Sequence, residues 1–530
     1  MARLRLALLA AALIAGGGAP PIRAQSAAPV NPRIALVIGE SAYADATLTT
    51  PVNDAALVAQ TLQAAGFDVA GARDLDEKSL RESLRDFLAR AAAIGPDMQA
   101  FVYLAGRGVQ YEGENFFAPV DAEIARDSDV PIEAVRISDF AHALSAEPGR
   151  ARIVVLDAAR AGPYAAEGPP LAGGLALVEP DEGELIAFNA APGAVAGDEP
   201  GPYGAYAHAL AGAMRQGGVP IEDALAQVRV RVNAETGGGQ LPWSASKLAV
   251  PYYVFELAGD APAPAIVAAL AENALKPIRE LPPGQAYVGA LARDTLAGYS
   301  DFLAADPDAP EARRVRAMLA ARREALYWRR AVALDMPPAY WTYLARYRHG
   351  PHVADAARRL AILSAPTAPP DGFAPLSYED LPPPPANELA DAERPVFNFA
   401  GADYGPPLDL APSADDDWRH LPPPAPPVSV GLLPALAVAL PLIPGARAYR
   451  DGGRRDGRAP PGAPEPLASI ITAPPLPGGI EPRPPPRPAP LKPPLGVSRA
   501  ISSAAETPAN PDLKFPPLPP PRPTPFRNER

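Results

Sequence analysis

Two short apolar runs end in the residues best placed to do chemistry. The first, at 100–108, reads AFVYLAGRG, and the second, at 152–160, reads RIVVLDAAR. Each is rich in β-branched residues and stops abruptly at small and charged ones, which is typical of buried parallel strands. Ligands bind beyond the carboxyl ends of such strands. The residues to weigh are therefore Arg107 after the first run, and Asp157 and Ala159 after the second.

The chemistry open to these residues is limited, because the chain contains no cysteine. Thiolate catalysis, disulfides and thiolate-bound zinc or iron–sulfur clusters are excluded. Ala159 has no nucleophilic atom, and the guanidinium of Arg107 stays protonated and cannot act as a base. His349 and His352 flank a Gly-Pro turn without an adjacent acidic ligand, so we expect neither a metal nor another cofactor.

The two runs resemble the p20 region of the caspase and metacaspase family of cysteine peptidases, in its bacterial secreted form. In that family the first strand ends in Gly-His-Gly, which supplies the catalytic histidine, and the second in Asp-x-Cys, which supplies the nucleophile. The matching letters here are Gly-Arg-Gly at 106–108 and Asp-Ala-Ala at 157–159. Both dyad positions are substituted, by Arg107 and Ala159. The resemblance thus implies a degenerate peptidase, since losing such a nucleophile costs about a millionfold in rate.

The resemblance covers about 31–256 and implies an α/β, caspase-like three-layer domain with a mostly parallel sheet. It includes five further short motifs in family order: VIG at 37–39, PVND at 51–54, APVD at 118–121, APG at 191–193 and LPW at 241–243. The pattern of apolar runs alternating with helices, such as the amphipathic stretch 77–93, independently predicts a parallel sheet with both faces covered. An early helix is expected over 55–65, capped by Asn53 or Asp54.

Two acidic residues extend the resemblance to a binding site. In metacaspases the primary specificity pocket is acidic and takes a basic side chain, and Asp54 and Asp157 match its two acids. The resemblance therefore implies a peptide or protein partner that offers a basic side chain. The alternative is that Asp54 caps its helix while Asp157 pairs internally with Arg107 or Arg160. Both interpretations remain open at this point.

The region 262–364 changes character to helix with arginine-rich faces. An aromatic pattern recurs in it with an offset of 41 residues, which indicates two helix-hairpin units of a repeat type: Tyr299, Phe302 and Leu303 return as Tyr340, Tyr343 and Leu344. Two units are fewer than the three that usually stand alone, so we expect them to dock on the α/β domain or on a partner. Trp328 and Trp341 are expected in their core.

The N-terminus predicts export. Arg3 and Arg5 precede an apolar run at 6–15, and Ile-Arg-Ala at 22–24 offers a cleavage site. This is the pattern of a secretory signal peptide over 1–24. We therefore expect a periplasmic or extracellular protein.

The segment 366–530 is expected to be a disordered, proline-rich tail, because it holds 44 of the 73 prolines and favours polyproline II. Its uncharged run at 428–444 is short and interrupted by proline, which favours a docking segment over a membrane span. The span 33–256 carries 31 acids and 16 bases, a net charge of −15. So acidic a domain is a poor nucleic-acid binder.

Together these patterns predict an exported, catalytically degenerate caspase-like protein that binds a peptide or protein. One alternative is an envelope scaffold that works through the helical unit and the tail, with the old cleft filled. A further alternative is a hydrolase with rewired chemistry, with Asp157 as base and a nucleophile from a distant loop. No residue in the sequence is an evident candidate for that nucleophile.

Overall fold

The computed structural model describes residues 32–197, 201–257 and 276–392, together with residues 399 and 404. All the described residues lie within Met1–Pro444. The predicted signal peptide at 1–24 and the uncharged run at 428–444 lie outside the described residues. No helix in the described part of the chain is both long and apolar enough to span a membrane.

A six-stranded sheet forms the centre of the N-terminal region. Its strands run in the order β2-β1-β3-β7-β8-β9, and all are parallel except β9, which pairs antiparallel with β8. Their bounds are β1 Arg33–Gly39, β2 Asp68–Arg73, β3 Gln99–Ala105, β7 Ala151–Asp157, β8 Glu184–Phe188 and β9 Trp243–Ser246.

Helices cover both faces of this sheet, since alternate side chains of each central strand point to opposite faces. On one face Leu36 and Val102 pack with α2 and α4. On the other, Val37 and Phe101 pack with α1, α5 and α6. The predicted three-layer α/β, caspase-like architecture is confirmed. The helices are α1 Pro51–Ala64, α2 Glu77–Ile94, a short α3 Val130–Glu133, α4 Ile137–Ala146, α5 Ala205–Met214 and α6 Ile221–Glu235.

The helix α2 shows how closely local sequence can define an element. Asp76 caps its start, accepting a hydrogen bond from the Ser79 amide at 2.8 Å, as an N-cap aspartate does. Leu84 and Phe87 lie on its buried face. Gly95 follows the last residue with a positive φ of 80°, a conformation that favours glycine. The predicted span of 77–93 differs from the observed helix by one residue.

The start of α1 differs from the expectation. The helix begins at Pro51, four residues before the predicted start, with Thr50 at the N-cap and no side-chain capping bond. Proline suits the first helical position, because its fixed φ is helical and its missing N–H would have no partner there. Asp54 therefore lies inside the first turn. The expectation that Asp54 or Asn53 caps this helix is wrong.

An antiparallel hairpin follows β3, and the sequence interpretation did not foresee it. Strands β4 (Arg107–Tyr111) and β5 (Glu114–Ala118) pair around a turn at Glu112 and Gly113. A short β6 (Val135–Arg136) completes this second sheet. Both turn residues have positive φ, at 52° and 85°, as two-residue hairpin turns require.

The C-terminal described region is helical. Its helices are α7 Pro283–Arg293, α8 Leu296–Ala305, α9 Ala312–Leu334, α10 Pro337–Arg346, α11 Val353–Ile362 and α12 Ala386–Ala392. The helix bounds repeat with the offset of 41 residues that the aromatic pattern indicates. This offset separates α8 from α10 at both ends, the end of α7 from the end of α9, and the start of α9 from the start of α11. Trp328 is buried in the core of this region, and Trp341 packs against that core.

The helical region docks on the α/β domain. Arg229 of α6 donates to the carbonyl oxygens of Leu291 (3.4 Å) and Ala292 (2.9 Å) at the end of α7. From the other side, Arg359 of α11 pairs with Glu112 at the hairpin turn at 3.2 Å. The structure therefore shows docking on the α/β domain, which was one of the two alternatives that the repeat count left open.

The packed part of the chain extends beyond residue 366, where the proline-rich tail was expected to begin. Leu381 is 2% exposed, and its carbonyl oxygen accepts the Tyr327 hydroxyl at 2.6 Å. Glu388 on α12 pairs with the buried Arg323 of α9 at 2.8 Å. At these described positions the segment is packed, because single apolar and acidic residues of a proline-rich stretch can still find partners.

Candidate functional site

The carboxyl ends of β3 and β7 lie side by side, which brings the predicted site residues to one place. Ala105 is in register with Asp157. Just beyond, the Gly106 amide donates to the Asp157 carbonyl at 3.2 Å and the Gly108 amide donates to the Ala158 carbonyl at 2.7 Å. The sheet topology thus sets Arg107 and Ala159 on neighbouring backbone segments.

The acidic pair holds a guanidinium from the same chain. Arg160 places its Nη2 atom 2.9 Å from Oδ1 of Asp157 and 3.6 Å from Oδ2 of Asp54. The Arg160 side chain is only 9% exposed, and the two carboxylates are at most 1% exposed. One buried cation therefore lies between two buried anions. Opposite charges this close attract one another strongly where water is excluded.

Hydrogen bonds orient both carboxylates toward Arg160. Oδ2 of Asp157 accepts the Tyr103 hydroxyl at 2.6 Å. Oδ1 of Asp54 accepts the Gly204 amide at 2.7 Å, which links the first turn of α1 to the start of α5. Each acid thus uses one oxygen on the domain framework and turns the other toward the arginine.

The negative charge of this pair contributes to the raised pKa values of two tyrosines. Burial, followed by the charge of Asp157, raises the pKa of Tyr103 well above its ordinary value. Burial, followed by the charge of Asp54, raises the pKa of Tyr203 to about 12. Both phenols therefore stay protonated at physiological pH, and neither supplies a phenolate nucleophile.

Arg107 lies in an aromatic environment and does not pair with Asp157. Its guanidinium carbon is 4.7 Å from the centroid of the Tyr43 ring and 5.8 Å from that of Tyr164. Its Nη2 donates to the Ala46 carbonyl at 2.8 Å, and the residue is 3% exposed. Of the two internal partners considered for Asp157, the structure shows Arg160. Arg107 is held by cation–π contacts instead.

The position of the missing nucleophile is closed. Ala159 is 0% exposed, and its amide donates to Oδ1 of Asn189 at 2.9 Å. Leu175, 1% exposed, lies so close to Gly108 that a Cβ there would meet its Cδ2 at 2.7 Å. Ala159 is therefore shielded from solvent in this structure.

The residues at this site do not form the nucleophile–base pair of a cysteine peptidase. Residue 159 has no nucleophilic atom, Arg160 is already held by two acids, and Arg107 cannot accept a proton. Asp157 faces Arg160 and Tyr103, so neither of its oxygens is placed as a general base toward a nucleophile. Among the described residues no group of three or more histidines, cysteines and acids is arranged to hold a metal ion.

The structure brings together Asp54, Asp157 and Ala159. It places Arg107 at the start of β4, on the backbone segment next to Ala158. Sequence reasoning missed the roles of Tyr43, Tyr103 and Leu175, and it treated Arg160 only as one possible internal partner. Tyr103 lies within a run of buried strand residues, so nothing in the sequence distinguished it as a site residue. Arg160 offered one, because it is the first cation after the strand that carries Asp157.

Comparison with known families agrees with this geometry. Residues 32–253 match the family model described as the caspase domain. No curated protein matches the chain. The match spans all six strands of the large sheet and stops before the helical region. Residues 32–253 are a caspase-family domain, and because the chain contains no cysteine, this domain lacks the nucleophile of that peptidase family.

Proposed function

We propose that this protein is an exported, catalytically inactive caspase-fold scaffold. Its caspase domain serves as a rigid base, and the helical region binds a protein partner. The observation that carries the proposal is the closure of the old cleft: Ala159 is fully buried, and Arg160 fills the acidic pair. A cleft occupied by its own side chains leaves the outer surface for recognition.

Three exposed apolar side chains of the helical region support a partner surface there. Leu334 and Met336 are 40% and 39% exposed, and Ile362 is 61% exposed. An ion pair between Asp335 and Arg359 at 2.7 Å joins the turn that carries the first two to the helix that carries the third. Exposed apolar side chains grouped beside charged ones are typical of protein interaction sites.

A site-specific crosslinking experiment tests the scaffold. A photoreactive amino acid is placed at Ile362, and a matched one at Ile132, which is 65% exposed on the caspase domain. In the producing cell we expect a discrete crosslinked protein from position 362 and none from 132. Equal crosslinking at both positions would contradict a partner surface on the helical region.

A second candidate function follows from the acidic pair itself. Asp54 and Asp157 hold one guanidinium already, so a peptide with an arginine or lysine side chain is chemically suited to the same place once Arg160 leaves. Replacement of one charge-assisted contact by another is close to balanced, but the internal arginine competes at a high effective concentration. This candidate requires displacement of Arg160.

Thermal shift measurements on the full chain separate the two candidates. Short peptides ending in arginine, lysine or glutamine are added to the wild type and to Arg160→Ala. The scaffold predicts no rise in Tm for the wild type with any peptide. A rise with only the basic peptides would favour the second candidate, because a ligand that binds the native state stabilises it. A rise confined to Arg160→Ala would show a competent but internally occupied site.

A further inference from the structure

A buried histidine joins the helical region to the caspase domain. His352, at the N-cap of α11, is 2% exposed. Its Nδ1 atom lies 2.8 Å from Oε1 of Glu324 on α9, and its Nε2 atom lies 2.9 Å from Oε1 of Gln110 on β4. The ring also stacks on Trp328, with centroids 4.7 Å apart and planes within 10°. Both nitrogens thus face oxygen atoms of other elements.

The orientation of the Gln110 amide is decided by its second contact. Its Nε2 donates to the carbonyl oxygen of Gly173 at 2.5 Å, a group that only accepts. The Oε1 atom must therefore face His352, and the histidine Nε2 must carry a proton to bond with it.

The Glu324 side of the ring leads to the same conclusion. The His352 backbone amide donates to the Tyr343 hydroxyl oxygen at 3.1 Å, and that hydroxyl donates to Oε1 of Glu324 at 2.6 Å. Burial, followed by the charge of Glu324, raises the pKa of Tyr343 well above its ordinary value, so the tyrosine remains a donor. Glu324 is 0% exposed, and within the described chain His352 is its ion-pair partner. When Glu324 is ionised its Oε1 accepts from Nδ1, and both ring nitrogens then carry protons.

We propose that His352 is a proton-dependent latch between the helical region and the caspase domain, closed when its imidazole is protonated on both nitrogens. Loss of one proton leaves a bare ring nitrogen opposite a carbonyl-type oxygen. Since a carboxylate holds the Nδ1 proton more strongly than an amide oxygen holds the Nε2 proton, the bond that fails is the one to Gln110. That bond is the one that crosses between the two regions. This inference is independent of the proposed partner surface.

The other charged groups around the ring are already paired, so the Glu324 carboxylate dominates its surroundings. On α9, Arg323 pairs with Glu388 at 2.8 Å. At the hairpin turn, Glu112 pairs with Arg359 at 3.2 Å. On α11, Asp355 pairs with Arg358, and Arg358 also reaches Asp127 at 2.7 Å. On α10 the titratable neighbours are tyrosines, of which Tyr347 also has a pKa raised by burial and then by Glu324.

The His352–Gln110 bond is connected to the segment 173–176, which covers the old cleft. Gln110 lies on β4, three residues after Arg107, and holds Gly173. The neighbouring Asn115 of β5 exchanges two hydrogen bonds with Ala176, at 2.9 and 2.7 Å. Leu175, which covers Gly108, lies between these two anchors. Opening of the His352–Gln110 bond frees the Gln110 side chain that holds Gly173, so we expect this anchor to weaken and the segment 173–176 to loosen as the ring loses its proton.

Hydrogen exchange of the full chain between pH 5.5 and 8.5 tests the latch, after correction for the intrinsic pH dependence of exchange. In the wild type, we expect exchange in the peptides covering 107–118 and 171–176 to quicken about tenfold with rising pH, the scale of one lost hydrogen bond to a charged group. Glu324→Gln removes the stabilising charge and is expected to move the step to lower pH. His352→Phe keeps the stacking on Trp328 and is expected to abolish it.

His142 provides a matched control, because its Nδ1 lies 2.6 Å from Asp181 but its side chain is 65% exposed. We expect His142→Gln to leave the step in place. The proposal is overturned if wild-type exchange shows no step, or if the step survives in His352→Phe. Should that variant fail to fold, nitrogen-15 spectra of histidine-labelled wild-type protein decide the matter. A buried histidine protonated on both nitrogens at pH 6 supports the latch, and only neutral buried rings at that pH refute it.

Discussion

The turn after α7 and the turn after α9 form two similar joints of the helical region, and they lie in different environments. At each, an aspartate with left-handed backbone follows a helix, Asp294 with φ of 46° and Asp335 with φ of 42°. Each accepts the hydroxyl of the tyrosine five residues later at 2.7 Å. Each pairs with an arginine of the helical region, Arg322 or Arg359. The repeat thus copies a capping device along with its aromatic core.

The difference between the joints is burial. The side chain of Asp294 is 5% exposed, and a second arginine, Arg229 of the caspase domain, approaches it at 3.7 Å. The side chain of Asp335 is 43% exposed. A buried charge depends wholly on its partners, whereas a surface charge retains water when a partner is lost. One local sequence pattern therefore has different energetic weight at the two joints.

Replacing each aspartate by alanine should expose this contrast most strongly. We expect Asp294→Ala to lower the free energy of unfolding by about 3–5 kcal/mol, because it leaves buried arginines without their carboxylate. Asp335→Ala should cost about 0.5–1 kcal/mol. The two backbones are alike, so the strain of alanine in the left-handed conformation cancels in the comparison. Urea unfolding followed by tryptophan fluorescence measures both, and equal losses would contradict the role assigned to burial.

The tyrosine hydroxyls provide a milder version of the same contrast. Both rings are fully buried, so phenylalanine keeps the packing and removes one hydrogen bond at either site. Tyr299→Phe should cost about 1.5–3 kcal/mol, the range for bonds to a charged group. Tyr340→Phe should cost about 0.5–1.5 kcal/mol, since Asp335 can turn to water instead. Double-mutant cycles with the matching Asp→Ala changes show whether each loss passes through the aspartate.

The smallest expected effect is a pH dependence at the exposed joint. Hydrogen bonds from Arg359 and then Tyr340 lower the pKa of Asp335. A lowered carboxyl pKa adds stability above the ordinary aspartate value of about 3.9 and loses it as pH falls below that value. The stability difference between wild type and Asp335→Asn should be constant from pH 5 to 8 and shrink below about pH 4. Thermal unfolding across this range measures the difference; a gap that widens in acid would reverse the assigned sign.

Much of the fold was readable from local chemistry. The apolar runs that became β3 and β7 and the amphipathic stretch that became α2 lie where the patterns placed them, because burial and capping act over a few neighbouring residues. The loss of the dyad was also readable, since Arg107 and Ala159 cannot transfer a proton or attack a carbonyl whatever surrounds them. The offset of 41 residues was visible in the aromatic pattern and now appears in the helix bounds.

Other features depended on groups far apart in the chain. The start of α1 at Pro51 releases Asp54 to bond Gly204, 150 residues away, so a local capping rule predicted the wrong role. The packing of Leu381 and Glu388 follows from contacts with Tyr327 and Arg323, which composition alone does not show.

The sequence by itself determined the absence of the cysteine nucleophile, the three-layer fold and the repeat in the helical region, because each depends on residue types and on short-range periodicity. The tertiary structure decided which cation occupies the acidic pair, what closes the cleft and which histidine is buried between charges. Asp54 and Arg160 meet across the sheet ends, and Gln110 and His352 are 242 residues apart. Electrostatic and hydrogen-bond partners are chosen by proximity in space, and only the folded chain supplies that proximity.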